Sequence, residues 1–134
     1  MMISLKEEEA LLAAARECRH LAYAPYSHYL VGAALLAADG QIYTGVNVEN
    51  ASYGLAICAE RSAIVKMVAN GAREIKAMAV CTSNGGSPCG ACRQVMNEFA
   101  AADFPVYLCA ETGSARHTTL YTLLPDRFGP EHLP

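Results

Sequence analysis

Apolar residues at Leu11, Leu12, Ala15, Cys18 and Leu21 recur at the spacing of one helical face. Ser4 precedes them with Glu7 three positions on, the pairing of a capping box. A first helix is therefore predicted from about 4 to 22, ended by Ala24-Pro25, since the residue before proline is pushed out of the helical region. Residues 29–37 are small and branched, Asp39-Gly40 is a hairpin signal, and residues 41–48 form the return strand. Asn70-Gly71 closes a helix predicted over 58–68. A third strand follows over 75–81, then a polar loop over 82–88 and a helix over 89–99 with Pro88 just ahead of its first turn. A fourth strand covers 104–110, a short fifth strand 117–121, and the tail 123–134 is irregular. One hairpin followed by helices alternating with single strands predicts an α/β (α+β) fold: a five-stranded mixed sheet covered by helices, in one domain spanning 1–134.

Composition narrows the classes. Of 134 residues, 53% are hydrophobic and 17% charged, enough apolar material for a real core and few enough charges to favour self-association. Ten Lys and Arg against thirteen Asp and Glu give a net charge of -3 with no basic run, which argues against gripping a nucleic-acid backbone. The chain opens without a basic, apolar leader and turns acidic at Glu7, Glu8 and Glu9. No stretch approaches the roughly 20 apolar residues of a membrane span, so the expected location is the cytoplasm.

The six cysteines divide by context. Cys18, Cys81 and Cys109 sit inside apolar patterns, as small buried hydrophobes do. Cys58, Cys89 and Cys92 lie beside Glu, Pro and Gly at predicted helix starts, where exposed amides stabilise anionic sulfur. The Cys89-Gly90-Ala91-Cys92 spacing lets two thiolates reach one ion, but redox dithiols and zinc knuckles share it. With Cys58 as a third ligand, zinc would keep one tetrahedral corner open, and Glu60 would stand beside it as a proton carrier. Two other readings use the same residues. Cys58 can be a buried core thiol with Glu60 an ordinary first-turn acid, His117 or Cys81 then completing a closed structural zinc site, or Cys89 and Cys92 can be a redox dithiol. Three thiolates around one dication leave a net negative charge, which Arg61 or Arg93 could offset.

Several motifs in order carry a family resemblance: Pro25-Tyr26-Ser27-His28-Tyr29, Val31-Gly32-Ala33-Ala34-Leu35, the stretch 45–54, Cys58-Ala59-Glu60-Arg61, the stretch 88–94, and Leu123-Leu124-Pro125-Asp126-Arg127-Phe128-Gly129-Pro130. Over nearly its whole length the chain resembles the cytidine deaminases, specifically the small homotetrameric class that ligates zinc with three cysteines. The resemblance implies one Zn2+ per subunit on Cys58, Cys89 and Cys92, with Glu60 as the proton shuttle. Asn47 and Glu49, two apart at a strand end and so on one side of it, match the residues that hold the ribose hydroxyls; a polar strand cap is the bland alternative.

Further roles follow from the same likeness. Ala59 contributes backbone contacts to the pyrimidine. Phe128 corresponds to the C-terminal aromatic that approaches the base from a neighbouring subunit, and Tyr53 maps to the intersubunit wall. Without the family, Phe128 would be a tail anchor and Tyr53 a core residue. Tyr29 departs from the pattern by replacing the usual phenylalanine, and its added hydroxyl needs a partner if buried. The implied activity is hydrolytic deamination of cytidine and 2′-deoxycytidine, with a free pyrimidine nucleoside as substrate. A deaminase of another aminopyrimidine nucleoside and a non-catalytic structural-zinc module are the rival readings.

Overall fold

Alternating side chains of one central strand divide the molecule into three layers. In the computed structural model, which describes residues 3–134, the elements are α1 (Leu5–Cys18), β1 (Gly32–Ala37), β2 (Ile42–Val46), α2 (Ala59–Ala69), β3 (Ile75–Cys81), α3 (Gly90–Phe99), β4 (Pro105–Cys109), β5 (Arg116–Thr119) and α4 (Leu120–Leu123). All six residues of β1 are buried, as expected of a strand covered on both faces. Ala34 and Leu36 pack with Leu11 and Ala15 of α1, whereas Ala33 and Leu35 face Ala63, Ile64 and Met67 of α2 and Met96 of α3.

The sheet order is β2-β1-β3-β4-β5. Only β3 and β4 run parallel, and α3 crosses between them; the other pairings are antiparallel. Two glycines set how closely the helices approach. A Cβ on Gly32 would lie 2.2 Å from the Ala15 carbonyl oxygen of α1, and one on Gly45 would lie 2.3 Å from the Ala63 nitrogen of α2. Only a residue without a side chain allows backbone contact this close.

The predicted five-stranded mixed sheet is present, and β3 has the predicted bounds. Other boundaries move. The first helix gives way at Arg19 to a 3-10 turn over Arg19–Leu21. The first strand starts at Gly32, because Asn47 uses its side-chain amide to hold the backbone of Tyr29 and Val31 outside the ladder. The fifth strand ends at Thr119, whose hydroxyl accepts the Thr122 amide and caps α4, so residues 120–121 are helical. The tail contains a further 3-10 turn over Pro130–His132. No helix among the described residues is long and apolar enough to cross a membrane.

Candidate active site

Cys58 and Cys89 are each the N-cap of their helix, α2 and α3, in extended conformation, and neither side chain is spent on capping. Both sulfurs therefore project from helix N-termini, where the helix dipole favours negative charge. Cys92 sits one turn into α3, buried on the same side. Cys89 Sγ lies 3.7 Å from Cys58 Sγ and 3.5 Å from Cys92 Sγ, and the three atoms fall within 4.8 Å of one another. Tetrahedral zinc–sulfur bonds of about 2.3 Å place ligand sulfurs roughly 3.8 Å apart, so the cluster fits a zinc ion.

The closed-site alternative finds no support. Among the described residues no fourth His, Cys, Asp or Glu joins the group. The His117 ring meets Tyr107 edge-on at 4.6 Å, with Nε2 3.5 Å from the Glu8 carboxylate. The Cys81 thiol points to the Ala110 carbonyl oxygen at 3.4 Å, within the α1-side core. Cys109 is buried with it, and Cys18 is half-buried among the carbonyls of Ala15, Ala33 and Gly45.

Arg61, not Arg93, meets the thiols. Its Nη2 is 3.5 Å from Cys58 Sγ, and its Nε is buried with no hydrogen-bond partner among the described residues. Arg93 instead donates to the carbonyls of Pro88 and Leu123 and to Ser87 Oγ, fixing the segment that leads into α3. The neighbouring Cys92 thiol, Arg61 and Cys89 hold the Cys58 thiol down to about 5, while Cys58 and its own burial raise Cys92. Glu60 is only 4% exposed. Burial pushes its carboxyl up to about 7, with the Cys58 charge adding to the rise.

Cys58, Glu60 and Cys89 open onto a cleft of about 290 Å³ whose walls also include Tyr29, Asn47 and Glu49, with Ala59 beside them. A two-residue bridge, Val48 to Ile57, folds residues 49–56 back so that the end of β2 and the start of α2 share this cleft. The Asn47 side chain accepts from Val31 N and donates to Tyr29 O. The Glu49 carboxylate accepts from the amides of Tyr26 and Ser27 and from the Ser27 hydroxyl, which together lower its pKa. Both residues thus shape the wall as well as face the cavity.

Two expected residues lie outside the cleft. Tyr53 lines an adjoining depression of about 310 Å³ with Tyr26 and Glu49, and Phe128 stacks on His132 while its carbonyl accepts from Gln94 and Asn97. Thr82 and Gly86 also line the cleft, as does Ser27 of the Pro25–Tyr29 motif, to which no role was assigned. The signal at Thr82 and Gly86 is turn-forming composition, which does not say what a turn faces.

A family model described as "Cytidine and deoxycytidylate deaminase zinc-binding region" matches residues 5–108. The chain belongs to this deaminase family. A cytidine deaminase from Sporosarcina psychrophila is 50% identical over 127 residues, 93% of each chain. One from Halalkalibacterium halodurans is 46% identical over 129 residues, covering 95% of this chain and 98% of that protein. The crystal structure of cytidine deaminase from Burkholderia pseudomallei superposes with a TM-score of 0.85 at 48% identity, covering 90% of this chain and 98% of that one. Membership in a zinc-binding deaminase family and the spacing of the three sulfurs agree, and the cluster is the chain's zinc site.

Proposed function

We propose that this chain is a zinc-dependent hydrolase that converts cytidine and 2′-deoxycytidine, with water, to uridine and 2′-deoxyuridine plus ammonia. The observation that carries the reading is the three-thiol cluster opening, beside a buried glutamate, onto a nucleoside-sized cleft. When bound, zinc supplies the Lewis acidity that makes water a competent nucleophile near neutral pH. Glu60 takes a proton from that water and delivers it to N3 of the ring as the oxygen adds to C4. It then moves the proton of the new C4 hydroxyl to the exocyclic nitrogen, and ammonia leaves. A buried carboxyl that exchanges protons readily near neutrality suits both transfers. Cys58, Cys89 and Cys92 hold the metal, Arg61 offsets their charge, Asn47 and Glu49 take the ribose hydroxyls, and Tyr29 and Ala59 flank the base.

The substrate is read as a free nucleoside in the cytoplasm. Among the described residues lining the cleft none is Lys or Arg, while Glu49 supplies a carboxylate, so a phosphate would meet like charge without compensation. Tyr53 and Phe128, exposed here, fit the reading in which a homotetramer completes each site from its neighbours.

Ammonia release from cytidine, measured with and without a zinc chelator, tests substrate, reaction and metal together. Turnover that stops on chelation and returns with zinc is expected. Cytidine 5′-monophosphate should show a specificity constant lower by roughly tenfold or more, the scale of one poorly screened like-charge contact. No ammonia from cytidine by zinc-loaded protein, or equal constants for the two substrates, would refute the corresponding part of the reading.

A further inference from the structure

The loop from β3 to α3, residues 82–88, is held at two separate points. At its α3 end, Arg93 binds Pro88 O at 2.7 Å and Ser87 Oγ at 2.9 Å, directly before the ligand Cys89. At its tip, Asn84 Oδ1 accepts at 2.8 Å the hydroxyl of Tyr29, which lines the cleft together with Thr82 and Gly86 of the loop. Thr82 shares that oxygen at 3.3 Å and accepts the Gly86 amide at 2.9 Å. Tyr29 is itself fixed from behind: its amide donates to Ser27 Oγ at 3.0 Å and its carbonyl accepts from Asn47 at 2.8 Å. Residue 86 is glycine where the hydroxyl passes, and a Cβ there would stand 2.7 Å from Tyr29 Oη.

We propose that the Tyr29 hydroxyl and Asn84 form a tie that holds the tip of the 82–88 loop against the nucleoside-binding wall, making Tyr29 and Asn84 positioning residues for substrate affinity. A phenylalanine at position 29 would keep the aromatic face and lose only the tie. Because Arg93 anchors the other end of the loop, releasing the tip leaves Cys89 in place. Binding weakens while the chemical step is spared, which raises KM without lowering kcat. The inference rests on the proposed deamination for its kinetic half alone.

The test uses zinc-loaded protein and two readouts. Tyr29→Phe is expected to raise KM for cytidine about fivefold, equivalent to about 1 kcal/mol and in the range of one lost hydrogen bond, with kcat within about twofold. Hydrogen exchange at the Gly86 amide should accelerate by a similar factor. Asn84→Ala should copy both effects, and the double variant should add nothing. Asn84→Asp keeps an acceptor oxygen and should return both readouts close to the starting values. A KM for Tyr29→Phe within twofold of the parent, additive single effects, or a fall in kcat matching the rise in KM would overturn the tie. Absence of cytidine turnover in the parent protein would instead sink the proposed activity; unchanged Gly86 exchange in Tyr29→Phe would then still overturn the tie.

Discussion

At the scale of single residues, Glu60 occupies a costly position that the proposed proton transfer accounts for. A carboxyl with 4% exposure beside a thiolate carries a desolvation cost that a neutral side chain would avoid. Glu60→Gln keeps the size and removes the proton exchange. It is expected to lower kcat by at least roughly a thousandfold, since in the proposed mechanism one group serves as both base and acid. Zinc content should stay near one per chain, because the three sulfurs do not depend on the carboxylate. Substantial residual turnover would take Glu60 out of the mechanism. The ligands and this glutamate were legible in the sequence because each lies within two residues of a helix start marked by local signals. Arg61 and Arg93 were not separable there: which guanidinium meets sulfur depends on the backbone carbonyls of Pro88 and Leu123, and Leu123 lies thirty positions from Arg93 in the chain.

Elements are placed by how tightly the helices lie on the sheet, and the two close-approach glycines make this testable. Gly45→Ala would drive a Cβ into the backbone of α2, the helix that begins beside Cys58 and carries Glu60. Gly32→Ala would do the same to α1, which bears no proposed site residue. Both should destabilise by about 1–3 kcal/mol, the usual cost of overpacking. Only Gly45→Ala should also lower kcat and zinc affinity of the folded protein, measured below its melting transition. Equal kinetic damage from both would mean that α2 does not set the site. Most of this frame could be read from pattern: β3 emerged with its bounds because it is an apolar run, interrupted by Lys76 alone, between polar punctuation. The end of β5 did not, because Leu120 is apolar and fully buried, and an apolar, buried position alone does not distinguish strand from helix. Thr119 makes the difference by capping α4, a local hydrogen bond that an apolar count does not contain.

The whole molecule leaves apolar surface that a single chain does not use. Tyr53 is 76% exposed and Leu55 72%, next to the depression that shares Glu49 with the catalytic cleft, and Phe128 is 57% exposed. Large apolar side chains grouped beside a functional cavity mark an interaction surface more often than a solvated one. If neighbouring copies cover them in the proposed homotetramer, assembly and activity must be linked by mass action. Light scattering should give the mass of four chains at micromolar concentration. Leu55→Glu would place an unpaired charge in that contact. It should dissociate the assembly and lower kcat/KM for cytidine by roughly tenfold or more. Leu55 touches neither the thiols nor Glu60, so zinc should remain bound to the separated chains. A single-chain mass with full activity, or dissociated Leu55→Glu protein that turns over cytidine like the parent, would show that each cleft is complete within one chain and that the exposed aromatics serve another contact.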